Sequence, residues 1–184
     1  MKRKTIGLAL LPGAMFISLM AVGAALGYRV NITQSLPLGL WKVTDQAAQG
    51  AYVEFCAPAQ FAELVRERGY LPHGSCPQGL APMLKPVAAR AGDTVTIDAK
   101  GMAINGLQVI DGPLPTTDSK GRPLQPVAPG TYRIEPGALW VLSTYNPRSL
   151  DSRYIGPIQA DTVIAGMTPV FVFNQKENYA LDRR

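Results

Sequence analysis

Between Thr5 and Tyr28 the chain carries no charged residue, running TIGLALLPGAMFISLMAVGAALGY, with Lys2, Arg3 and Lys4 before it and Arg29 after it. Crossing the hydrocarbon of a bilayer takes about 20 apolar residues. The stretch therefore reads as a single membrane-spanning helix, residues 1–28 forming an anchor with a short basic start. The excess of positive charge on its N-terminal side places that start in the cytoplasm and everything after Tyr28 outside. A cleavable secretory signal is the alternative, because a basic start, an apolar run and the small residues Ala21-Val22-Gly23-Ala24-Ala25 also suit removal. Either reading exports residues 29–184.

That exported portion is long enough for one domain with its own core and too short for two large ones. Across the 184 residues, 18 Gly and 16 Pro without a fixed period predict turns and short strands in preference to long helices. The expected fold class is mainly β: an N-terminal transmembrane helix followed by an antiparallel β domain with one short helix. The net charge of +5 comes from 18 basic and 13 acidic residues, and three of the basic ones are Lys2, Arg3 and Lys4. No Lys/Arg run interleaved with aromatics follows, so the phosphate-neutralising footprint of a nucleic-acid partner is missing. The 2 cysteines, Cys56 and Cys76, lie in a compartment that oxidises thiols, and a disulfide between them is expected. It would close a loop of about 20 residues and stabilise by about 3 kcal/mol in the chain-entropy model.

Strand patterns fall at Leu38–Val43, Ala51–Phe55, Met83–Val87, Thr94–Asp98 and Ala138–Leu142, and a longer one at Asp161–Phe173. Asn105-Gly106 between Met102–Ile104 and Leu107–Ile110 is a hairpin signal, since both residues accept positive φ. Phe61, Leu64 and Val65 have helical spacing within Ala59–Gly69, so the excursion 56–76 between the cysteines is helical. Asp111–Gly130, dense in Pro, Gly, Thr and Asp, predicts a long exposed loop, and Tyr145–Tyr154 a polar, turn-rich one.

The chemistry narrows by elimination. A single His, His73, sits in a Pro/Gly loop, and there is neither a G-x-S-x-G elbow nor an S-x-x-K pair. One His and scattered carboxylates form no metal-ligand pattern, and no phosphate or dinucleotide glycine motif is present, so no metal or cofactor is expected. Serine with lysine remains. Lys85 is the only charge between Arg68 and Arg90 and lies on an apolar strand. Burial there would lower its pKa toward the range where a neutral amine accepts a proton, although an edge lysine that snorkels to water has the same sequence signature.

Three separated segments carry a resemblance to a family. Thr33-Gln34-Ser35-Leu36-Pro37-Leu38-Gly39-Leu40-Trp41 is similar to the nucleophile box of the serine–lysine signal peptidase superfamily. Lys85 followed by Ala91-Gly92-Asp93-Thr94-Val95 resembles its base box, and Ser143 to Gly156, with Ser149-Leu150-Asp151-Ser152-Arg153-Tyr154-Ile155-Gly156, its last box. The S-L-P-x-G-L-W wording and short connections look most like the TraF-type peptidases of bacterial conjugation.

The resemblance implies Ser35 as acylating nucleophile and Lys85 as its base, a serine–lysine form of triad logic. Thr33 would help the Ser35 backbone N–H hold the oxyanion, Ser149 would orient the lysine amine, and Asp151 and Arg153 would pair beside the site. Turn hydroxyls and a solvated ion pair are the plain alternatives for these supporting residues. Two departures stand out. The residue after the lysine is Pro86 where the family often has Arg, and the last box begins Ser143-Thr144-Tyr145 where Gly-Asp-Asn is common.

The implied substrate is a precursor protein, a conjugative pilin, cut at small side chains just outside the bacterial inner membrane. The implied setting is an inner-membrane lipid anchor, a periplasmic catalytic domain and a conjugative type IV secretion system. Ser35 follows Tyr28 closely enough that, at roughly 3.3 Å per residue, it lies within about 25 Å of the span. A general leader peptidase and an inactive subunit of a secretion assembly are the rival readings.

Overall fold

The computed structural model describes residues 2–44 and 52–173, with side chains from residue 12 onward. Its first element, α1 (Lys2–Ala25), contains Pro12, and Gly27 then turns the chain with a φ of 83° into strand β1 (Tyr28–Asn31). The helix falls where the apolar run predicts one. Among the described residues no helix is long and apolar enough to cross a membrane.

The rest is mainly β. After β1 come β2 (Gly39–Thr44), β3 (Tyr52–Phe55), a 3-10 turn and α2 (Ala62–Glu67), β4 (Met83–Arg90), β5 (Thr94–Asp98), β6 (Gly101–Ile104) and β7 (Leu107–Asp111). The chain continues through β8 (Gly130–Arg133), β9 (Ala138–Val141), the one-turn helix α3 (Ser152–Ile155), β10 (Ile158–Gln159) and β11 (Val163–Val172). Seven strands form one sheet in the order β1-β2-β11-β3-β4-β9-β10, and four form a second in the order β7-β6-β5-β8. Each neighbouring pair is antiparallel, as short connections between sequential strands favour.

The hairpin at Asn105-Gly106 is as expected, with φ of 50° and 81°. Two short helices replace the single one anticipated, since α3 forms inside the stretch read as turns. Asp111–Gly130 is also corrected. Residues 112–129 belong to no strand, yet they are not a free loop, because Leu114, Asp118 and Leu124 are buried. This segment, called the strap below, is tied down by the Val127 N–H donating to Arg153 O at 2.8 Å and the Tyr154 hydroxyl donating to Pro115 O at 3.1 Å. The Cys56–Cys76 disulfide is formed, with Cα atoms 5.6 Å apart.

Three apolar clusters fix the frame around β4. Ala88 and Ala89 join Trp140 and Leu142 to Val95, Ile97, Met102 and Ile104, packing the two sheets together. Val53, Phe55, Met83, Val141, Ile155 and Ile158 pack a second cluster. Leu36 and Trp41 meet Ala165 and Met167 in a third. Burying one such side chain contributes about 1.5–3 kcal/mol, so the strands that carry the candidate site are the best-anchored part of the molecule.

Candidate active site

Ser35 lies in the turn between β1 and β2 and is half-buried. Two devices hold the turn. Its next residue, Leu36, is fully buried against Trp41, Ala165 and Met167. Asn31 closes it from within: its side-chain amide donates to Thr33 O, Leu36 O and Pro37 O at 3.1, 3.2 and 3.1 Å, and its Oδ1 accepts from the Thr33 N–H at 3.1 Å. The Thr33 hydroxyl also donates to Asn31 Oδ1, at 2.7 Å, so its proton holds the turn. Gly39 ends the segment at a φ of 149°, where an added Cβ would meet Phe171 O at 2.1 Å. No other residue fits that crossing onto β11.

Lys85 comes from the middle of β4. It lies opposite Val53 in β3 and shares a face with Met83 and Val87 by strand alternation, so its stem enters the second apolar cluster. Only 4% of Lys85 is exposed. Burial pushes its pKa down from 10.5 to about 8, with the Asp151 charge opposing that shift and the Arg153 charge adding to it. Pro86 has no N–H to give a ladder and sits beside the β4–β9 irregularity between Val87 and Ala89, a position a central strand can tolerate.

Asp151 caps α3, its carboxylate accepting the Arg153 N–H at 3.2 Å. The Arg153 guanidinium grips both oxygens, Nε to Oδ1 and Nη2 to Oδ2, each at 2.8 Å. Further guanidinium bonds collect the backbone carbonyls of Pro147 at 2.9 Å, Ser149 at 3.0 Å, and Ser143 and Asn146 at 3.4 Å. Asp151 and Arg153 are 0% and 1% exposed, which rules out the solvated-pair alternative. Ser149 is buried and, among the described residues, its hydroxyl has no hydrogen-bond partner.

Thr33, Ser35 and Lys85 line one cleft of about 420 Å³. Ser149, Asp151 and Arg153 do not line it, and neither does His73, which is exposed on the disulfide loop. Residues that sequence reasoning missed form the rest. Asn31 is one; an Asn two residues before Thr33, at the start of a turn, is the signal that points to it. Ser143 is another, with its hydroxyl on Ser35 O. Glu54, Tyr70, Asp118 and Arg148 complete the walls, with Leu71, Met83, Leu84 and Met167 as the apolar part.

A family model described as "Signal peptidase, peptidase S26" matches residues 3–172. The chain belongs to the peptidase S26 signal peptidase family. It is 38% identical over 177 residues to the conjugal transfer protein TraF of Agrobacterium fabrum, covering 94% of this chain and 98% of that one. It is 35% identical over 161 residues to the plasmid transfer protein TraF of Escherichia coli, covering 85% and 90% of the two chains. Among solved structures, a signal peptidase I from Enterococcus faecalis overlaps loosely, with a TM-score of 0.37 and 20% identity over 65% of this chain and 96% of that one. A Ser and a Lys from different elements of an S26 family chain thus share one cleft.

Proposed function

We propose that the protein is a membrane-anchored serine endopeptidase that matures a precursor protein of a conjugative transfer system, a pilin-like substrate. The observation that carries this reading is Lys85, buried to 4% exposure with its pKa at about 8, in the same cleft as the half-buried Ser35. An amine of ordinary pKa is almost wholly protonated at neutral pH, whereas at about 8 roughly a tenth is neutral at pH 7 and can act as base.

In the proposed reaction the proton of Ser35 Oγ passes to Lys85 Nζ as Oγ attacks the scissile carbonyl. The Ser35 N–H faces the developing oxyanion. Lys85 then returns the proton to the departing amine, leaving the acyl group as an ester on Ser35. Water releases a linear product; an amine of the substrate itself releases a cyclic one. Ser149 has a hydroxyl free to accept from the lysine ammonium, and Asp151 supplies the charge that keeps the lysine basic enough to recapture its proton.

The exposed apolar side chains of α1, among them Phe16 at 62%, Ile17 at 69% and Leu19 at 64%, support a lipid-embedded anchor. Lys2, Arg3 and Lys4 before it support a catalytic domain on the periplasmic face of a bacterial inner membrane. Relatives named for plasmid and conjugal transfer support the substrate class. The test is maturation of the precursor in cells carrying Ser35→Ala or Lys85→Ala. Each is expected to lower processing by at least about a thousandfold, as loss of one member of a working unit does. Normal maturation in either mutant overturns the proposal. Mass spectrometry of the product separates the two release routes, a cyclic product lacking one water.

A further inference from the structure

Ser143 stands between the two candidate catalytic elements. It directly follows Leu142, whose N–H donates to Pro86 O at 3.0 Å, beside Lys85. Its own backbone N–H donates to Asp151 Oδ2 at 3.1 Å and its carbonyl accepts from Arg153 Nη2 at 3.4 Å. Its hydroxyl donates to the backbone carbonyl of Ser35. Ser143 is completely buried, and its partner Ser35 is half-buried. Asn31 holds the 31–37 turn only to itself. Among the described residues, the Ser143 hydroxyl is the hydrogen bond that ties Ser35 to the segment carrying Asp151 and, through β9, to the strand of the base.

We infer that Ser143 is a positioning residue that sets the main chain of Ser35 relative to Lys85. It touches no reacting atom. A small misplacement of a nucleophile lowers the rate without changing the chemistry, and a buried neutral hydrogen bond is worth about tenfold in an equilibrium. The side chain at this position is required to be a donor, not merely small. The inference deepens the proposed function and rests on Ser35 being the nucleophile.

The test uses the full chain in detergent with two variants, Ser143→Ala and Ser143→Cys, the second filling the same volume with a poor donor. Hydrogen–deuterium exchange reads the turn directly. The amides from Thr33 to Leu36 are expected to exchange about tenfold faster in both variants, with the second sheet unchanged. Acylation by a penem, a strained β-lactam, reads Ser35 reactivity by intact mass. Its rate constant is expected to fall about tenfold in both variants, with the apparent pKa of the rate profile unmoved.

Wild-type exchange in the turn overturns the inference, as does a Cys variant that behaves like wild type, which would assign the effect to packing. A shifted profile overturns it too, because Ser143 would then act through Asp151 on the lysine. If wild-type Ser35 is not acylated, the proposed function fails, and the exchange measurement still decides whether Ser143 holds the turn.

Discussion

Two carboxylates in this molecule gather arginines, and they do opposite things. Asp151 and Arg153 are two residues apart, wholly buried and doubly bonded at 2.8 Å beside the buried lysine. Asp118 collects partners near and far along the chain: the Tyr70 hydroxyl at 2.6 Å, the nearby Arg122 Nε at 2.7 Å and Arg68 Nη1 at 3.7 Å, the arginines being partly exposed. The first pair sets the electrostatics around Lys85; the second fastens the strap to the segment after α2 and shapes the cleft wall. A buried pair is dangerous to break because the survivor is left charged in a dry place, whereas a carboxylate with several donors loses little when one of them is removed.

The largest effect tests the buried pair. Asp151→Asn leaves Arg153 uncompensated and is expected to cost about 3–5 kcal/mol in urea unfolding. It also removes the charge that holds the Lys85 pKa up while Arg153 continues to push it down. The pH–rate profile of whatever activity remains should therefore shift to lower pH. A profile that stays at about 8, or moves up, breaks the claim that Asp151 tunes the lysine.

Lys85→Met measures what the buried amine itself costs. Its pKa is about 8 in the folded chain against 10.5 unfolded, so between those values the unfolded state binds more protons and stability rises with pH. Below about pH 8 the penalty is complete, on the order of 3 kcal/mol. The methionine variant is expected to be more stable by about that amount at pH 7 while losing processing. The difference should close as pH rises from 8 to 10.5, and equal stability at all pH values would show that Lys85 is not desolvated.

The disulfide comes next. Cys56→Ala with Cys76→Ala opens a loop of sequence separation 20, for an expected loss of about 3 kcal/mol in the chain-entropy model. The loop carries Tyr70, Leu71 and Pro72 into the cleft wall, so KM is expected to rise more than kcat falls. An unchanged KM would detach the loop from substrate binding.

What the sequence could reveal followed from how local each feature is. The hairpin at Asn105-Gly106, β4, β9 and β11 are carried by patterns within one segment; β9 and β11 lie within a residue or two of their expected places, and β4 starts where expected and runs three residues further. Asp151–Arg153 is legible for the same reason, being an i, i+2 pair at the start of one helical turn. Three features had no such signature. β1 and β8 are strands only because β2 and β5 offer them edges. The strap looked like a free loop because the groups that pin it, Arg68, Tyr70 and Arg153, lie elsewhere in the sequence. Ser143 was read as a departure from a motif, and its bond to Ser35 spans 108 positions, a distance at which spacing carries no information.

The smallest effect sharpens the comparison. Tyr70→Phe removes the hydroxyl that donates to Asp118 and leaves Arg122 and Arg68 to hold the carboxylate. Stability should fall by less than in any of the variants above, because Arg122, Arg68 and the Lys120 and Arg122 backbone N–H groups still hold Asp118. The change should be local: limited proteolysis within residues 112–129 is expected to quicken, while the pH–rate profile keeps its midpoint near 8. A midpoint that moved with Tyr70→Phe would mean that the strap network reaches the lysine electrostatically. The two carboxylates would then have to be treated as one coupled system, with the strap part of the catalytic centre.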